Sequence, residues 1–303
     1  MNDTGGARVR LKHKFAIFLA LVVAVIALTL WRVTAVSSGI LEKHYARPDN
    51  PLAVPVAGAD VKDGERLAHM DGCFACHGQQ LTGRVLFTGP FGTKLVAPNL
   101  TRVVRKQSDA QLATVIRYGI RPDGTTLINM PSTRFLASSD QDIAAIIAYL
   151  RTLQPLPDAT PASSWGLGGR VLLAMHFFRV TAESTNTTMR GPRLTPTEPM
   201  ALGRYLTQSQ CATCHGRNLK GDPEESSPDL RFSLKHYSQD VFERFFTTGV
   251  GRRGHGTRVM TPLIKSQFHY LTGADVDALY RYLSLPAGAV TSMTPATAQS
   301  PHA

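Results

Sequence analysis

Hydrophobic positions along the chain form one long uninterrupted run, one shorter run and two matching series of amphipathic helices. From Phe15 to Trp31, 17 residues pass without a charge, the lower limit for a helix that crosses a bilayer. Arg8, Arg10, Lys12 and Lys14 precede the run and orient the N-terminus to the cytoplasm, which places everything after Arg32 outside. The run is longer than a usual signal h-region, so residues 15–31 are expected to form a retained transmembrane anchor behind a cytoplasmic basic segment, 1–14. Val33-Thr34-Ala35 suits a cleavage site, and a removed signal peptide is the rival reading. Residues 32–56, with Pro48, Pro51 and Pro55, read as a spacer that becomes extended towards its end.

A first domain is expected over 57–156. Asp63 to Met70 reads as a helix, followed after residue 77 by a Gly- and Pro-rich loop through Gly89-Pro90-Phe91-Gly92. Ser108 is a good N-cap for a helix to Tyr118, which Gly119 ends, and Pro122-Asp123-Gly124 makes a turn. Ser139-Asp140 then opens a last helix with Ile143, Ile146, Ile147 and Leu150 on one face.

A second domain, 196–286, repeats this order. Pro98, Gly119, Gly124 and Met130 match Pro228, Gly249, Gly254 and Met260 at a constant offset of 130, and the last helices align at 133, Asp142 with Asp275. Residues 73–77 and 211–215 align at 138, so the first domain carries eight extra residues before its Pro98. A duplicated fold with one longer loop accounts for all of these offsets.

Between the domains lies a connector, 157–195. Its stretch from Trp165 to Phe178 is apolar apart from Arg170 and His176 and too short to span a bilayer. Two readings stand for it. One is an interfacial segment with Trp165, Leu172, Leu173, Phe177 and Phe178 in lipid and Arg170 and Arg179 on headgroups. The other is a connector packed against a domain or a partner. A polar linker with Pro192, Pro196 and Pro199 follows, and residues 287–303 read as a disordered tail.

The chemistry lies in Cys73-Phe74-Ala75-Cys76-His77 and Cys211-Ala212-Thr213-Cys214-His215, which use all four cysteines of the chain. Cys-x-x-Cys-His is the attachment signature of c-type haem: each thiol adds to one vinyl group, and the histidine becomes the proximal iron ligand. A redox dithiol wants a βαβ context, which is absent, and a zinc site leaves the repeated histidine unexplained. Two covalently bound haem c groups are therefore expected, on Cys73, Cys76 and His77 and on Cys211, Cys214 and His215. Met130 and Met260 occupy equivalent loop positions before the last helices and are the expected distal ligands. Competing donors are His69 and Met70 in the first domain and His236, His255 and His269 in the second, with His255 the strongest rival. Arg102 and Arg121 are candidates for pairing with haem propionates.

Charge changes the picture little. The formal net charge of +11 divides as +4 for 1–56, +3 for 57–155, +2 for 156–195 and +2 for 196–303, so no domain is basic enough to be read as a nucleic-acid binder.

Both domains resemble class I cytochrome c modules through the two haem motifs, Ala97-Pro98-Asn99-Leu100-Thr101, Arg117-Tyr118-Gly119, Asn129-Met130-Pro131 and the helix Asp142 to Leu150. The resemblance implies an all-α fold of two tandem modules after an N-terminal transmembrane helix. It is similar in particular to the cytochrome subunits of membrane-bound alcohol and gluconate dehydrogenases, although those usually carry three haems and are anchored differently. An N-terminal anchor with two haem modules also resembles the dihaem subunit of cbb3-type oxidases. The expected function is single-electron transfer, without a catalytic residue, on the periplasmic side of a bacterial inner membrane. The donor would be a dehydrogenase or quinol-oxidising complex, the acceptor a soluble cytochrome or terminal oxidase. The alternative is a peroxidase-like dihaem enzyme with one open haem.

Overall fold

The computed structural model describes residues 4–185, 198–223 and 227–286. The expected tail 287–303 and most of the polar linker lie outside the described residues. Helix α1, Thr4–Glu42, holds the one stretch among the described residues long and apolar enough to cross a membrane. It runs past Trp31 through Arg32 and the Val33-Thr34-Ala35 segment, so the first part of the expected spacer is helical. No proline interrupts it before Glu42, and the extended spacer begins at Lys43.

In the first module α2, Val61–Met70, is capped by Asp60, whose carboxylate accepts from the N–H groups of Lys62 and Asp63. The short α3, Cys73–His77, carries the first haem motif. Strands β1, Arg84–Gly89, and β2, Thr93–Ala97, then pair antiparallel. This hairpin departs from the all-α expectation and lies where the eight extra residues were counted. The stretch read as a loop through Gly89 to Gly92 is its tip, and Thr93-Lys94-Leu95-Val96-Ala97 alternates buried and exposed positions as a half-covered strand does. Helix α4, Leu100–Val103, leads to α5, Asp109–Tyr118, which starts in a capping box of Ser108 with Gln111 and ends on Gly119 in the left-handed region. Ser139 caps α6, Asp140–Thr152.

The connector contributes α7, Leu167–Ala174, and α8, Thr181–Ser184. Arg170 donates to the hydroxyls of Ser37 and Ser38 at 3.0 Å each, holding α7 to the end of α1. Leu173 and Phe178 are buried in a cluster with Leu95, Ile128 and Val180, whereas Met175 and Phe177 are exposed. The packed reading therefore holds for Leu173 and Phe178, because β2 supplies an apolar face that sequence periodicity did not reveal.

The second module holds α9, Pro199–Leu206, and α10, Ala212–His215, joined through a π-helical turn at Thr207–Cys211. Then follow α11, Leu230–Leu234, α12, Gln239–Thr248, α13, Met260–Ser266, and α14, Gly273–Leu283. In each module the first and last helices cross where one has a glycine. A Cβ on Gly64 would stand 1.9 Å from the carbonyl oxygen of Ala145, and one on Gly203 would stand 2.0 Å from that of Ala278.

The modules share one continuous hydrophobic core and meet in a reciprocal manner. Arg66 of α2 pairs with Asp275 of α14 at 3.1 Å, while the hydroxyl of Tyr205 of α9 donates to Asp142 of α6. Counted from Gly64 and Gly203, Arg66 and Tyr205 are equivalent positions, as are Asp142 and Asp275. Position i of one module thus meets position j of the other in both directions, the pattern of an approximate twofold axis.

Candidate haem-attachment sites

In both modules the loop behind the histidine has the same backbone. Leu81 and Leu219 take positive φ and are buried, and each N–H donates to the carbonyl of Gly78 or Gly216. The carbonyls of His77 and His215 accept from Gly83 and Gly221, which hold the motif helix against the loop that carries the proline.

That loop fixes the histidine. Nδ1 of His77 lies 2.7 Å from the carbonyl oxygen of Pro98, and Nδ1 of His215 lies 2.9 Å from that of Pro228. A carbonyl only accepts, so the proton sits on Nδ1 and the lone pair is left on Nε2, the arrangement of a metal-ligating imidazole with its second-shell partner. Burial holds the His77 imidazole below its ordinary pKa, which favours the same neutral ring.

All four cysteines are free of disulfides. Burial pushes the thiols of Cys73 and Cys211 up to about 12. A redox-active dithiol needs the opposite shift. Among the described residues no three His, Cys, Asp or Glu side chains converge as a metal cluster, so the two pairs do not assemble into a zinc site.

The first module encloses a cavity of about 840 Å³, within the range of roughly 300–1,000 Å³ typical of cofactor sites. Cys73, Cys76 and His77 line it together with Met130, as do apolar side chains that include Leu112, Ile116, Ile146 and Leu150. Arg102 and Arg121 line it as well, Arg102 paired with Asp158 at 3.1 Å. An apolar cavity that presents two thiols, an imidazole with its Nε2 free, a thioether and two guanidinium groups fits a covalently held haem.

The competing donors of the first module, His69 and Met70, do not line this cavity. His69 is stacked between the rings of Phe74 and Tyr270, and Met70 is in the core. His236, His255 and His269 are exposed. Met260 is half-buried at the first turn of α13, packed on the core, and the hydroxyl of the following Thr261 donates to the Gly249 carbonyl at 2.6 Å. Met130 has an analogous tether from outside its module, because Thr181 of α8 donates to its carbonyl.

Sequence reasoning missed part of the cavity wall. Leu41 of α1 and residues from Asp158 to Trp165 of the connector close it. The anchor for this stretch is Asn99, buried, whose amide donates to the carbonyls of Leu156 and Pro157 and to Asp158. The contrast of Asn99 with Asp229 at the equivalent position was a visible signal: Asp229 is acceptor-only and caps α11 instead.

The family model "Cytochrome c" matches residues 61–154 and again 200–285, more than half of the chain. The chain belongs to the cytochrome c family. Membership implies covalent haem c, in keeping with the geometry of both motifs. This cytochrome c is 25% identical over 280 residues to the fructose dehydrogenase cytochrome subunit of Gluconobacter japonicus, covering 82% of this chain and 57% of that protein. It is 27% identical over 261 residues to the gluconate 2-dehydrogenase cytochrome c subunit of Pantoea cypripedii, covering 74% and 58%. It is also 27% identical over 266 residues to the cytochrome c subunit of the quinone alcohol dehydrogenase of Gluconacetobacter polyoxogenes, covering 75% and 56%. The cytochrome thus spans somewhat more than half the length of these relatives.

Proposed function

We propose that the protein holds two haem c groups and passes single electrons from a dehydrogenase or quinol-oxidising complex to a soluble cytochrome or terminal oxidase. Bound haem c would supply a one-electron iron couple, at a higher potential with histidine and methionine as ligands than with two histidines. Cys73 and Cys76, and Cys211 and Cys214, would hold the two groups through thioether bonds; His77 with Met130, and His215 with Met260, would ligate the irons. Helix α1 anchors the modules on the periplasmic face of the inner membrane, an orientation supported by the basic residues before Phe15. A dehydrogenase is the favoured donor because the three relatives above are all named as dehydrogenase subunits.

The observation that carries this reading is the repeated histidine-to-proline-carbonyl bond at two Cys-x-x-Cys-His motifs, with Met130 in the same cavity as His77. An optical redox titration of the purified full chain tests it. Two high-potential waves, with the methionine-to-iron charge-transfer band present, are expected. A low-potential or high-spin haem would overturn the methionine assignment and favour the peroxidase-like alternative.

A further inference from the structure

The twofold relation between the modules brings one position against its own equivalent. Counted from Gly64 and Gly203, Asp71 and Gln210 correspond, and a residue meets its own counterpart only at such an axis. Nε2 of Gln210 donates to Oδ1 of Asp71 at 2.8 Å, with both residues buried. Asp71 stands two residues before Cys73, and Gln210 immediately before Cys211.

The surroundings hold this contact in place. Arg134, just after Met130 in the first module, donates through Nη1 to the Asp71 carbonyl at 3.1 Å and to Oε1 of Gln267 at 3.3 Å. Gln267 belongs to the second module and packs on Gly72. The Arg134 charge acts on Cys73 and Cys76 of one motif and on Cys211 of the other.

We propose that the Asp71–Gln210 hydrogen bond is the bridge by which electrons pass between the two haem sites of this chain. The path runs from Cys73 along the backbone through Gly72 to Asp71, across the hydrogen bond to the Gln210 side chain, and by one peptide bond to Cys211. It is covalent except for a single hydrogen bond between two buried side chains. Electronic coupling falls off less steeply through such bonds than across a van der Waals gap. One electron crosses, oxidising one iron and reducing the other, and no proton or bond is exchanged. Asp71 and Gln210 are positioning residues in this role. The inference rests on the two-haem reading above.

The test uses the full, haem-loaded chain in detergent, with one haem reduced by a light or radiolysis pulse and the electron followed to the other. Gln210→Leu is expected to slow this intramolecular phase several-fold while both midpoint potentials stay in place. Asp71→Asn, whose side-chain oxygen still accepts from Gln210, is expected to keep the wild-type rate. Gln210→Asn, one methylene shorter, serves as the second bond-breaking variant should Gln210→Leu fold poorly. A wild-type rate in a folded bond-breaking variant would overturn the bridge, as would equal slowing in Asp71→Asn. A haem count by alkaline pyridine spectrum on the same samples separates failure of the bridge from failure of the two-haem reading.

Discussion

Arg117 and Asp140 form an ion pair at 2.8 Å with side chains only 4% and 2% exposed. Arg117 lies in the last turn of α5, and Asp140 starts α6, where its second oxygen also accepts from the N–H of Ala53 in the spacer. One carboxylate thus joins the helix before the Met130 loop, the helix after it and the chain leading from α1. Removal of one partner strands a buried charge, which costs about 3–5 kcal/mol. Arg117→Met is expected to lower the denaturant midpoint by a corresponding amount, measured by urea unfolding. A similarly conservative change at exposed Arg281, which pairs with Asp277 across one helical turn, is expected to leave it almost unchanged.

The helix crossings at Gly64 and Gly203 predict matching sensitivities. Gly64→Ala and Gly203→Ala each force a methyl onto a backbone carbonyl, and overpacking of this kind costs about 1–3 kcal/mol. Because α2 runs into Cys73 and α9 into Cys211, each substitution is expected to lower covalent haem occupancy mainly in its own module. Mass spectrometry of haem peptides after proteolysis checks this.

Met130→Ala and Met260→Ala are each expected to leave their haem attached, since the thioether bonds are untouched, and to lower that haem's potential. Redox titration reads both variants, and an unshifted potential would remove that methionine from the ligand set.

Asp71 gives stability a pH dependence. Burial raises its carboxyl to about 6, against the pull of Arg134, the Gln210 hydrogen bond and Arg66, with Asp142 adding to the rise. The folded pKa lies above the unfolded value of 3.8, so the folded state binds the proton more tightly. Its contribution is fully present below about pH 4 and is lost as pH rises through about 6, with a slope of at most about 1.4 kcal/mol per pH unit. Asp71→Asn should remove this component. The difference in Tm between wild type and Asp71→Asn is expected to change across pH 4–6 and to be flat above 7.

Much of this molecule was legible in its sequence because its elements are locally determined. Ser108 and Ser139 cap their own helices, Gly119 ends α5 through its own φ, and the motifs hold their histidines within a few residues of the thiols. Met130 was legible through the repeat, since a constant offset from Pro98 and Pro228 marks equivalent loops. The hairpin was not, because its strands are short, β1 keeps Arg84 and Leu86 on its exposed side, and the Gly- and Pro-rich tip dominates the pattern. The docking of the end of α1 on α7 and the burial of Leu173 and Phe178 depend on partners far away in sequence, namely Arg170 and β2. The Asp71–Gln210 contact follows only from the docking of two modules, which no periodicity within either one encodes.

The wall built by Asp158 to Trp165 bears on the order of biogenesis. Cys73 and Cys76 are synthesised long before that wall, so their cavity stands open on one flank until the connector has emerged and Asn99 has captured the chain at Leu156 to Asp158. The first module is therefore sealed not by its own last helix but by the connector that follows it, and its cofactor has a correspondingly longer window for entry from the side.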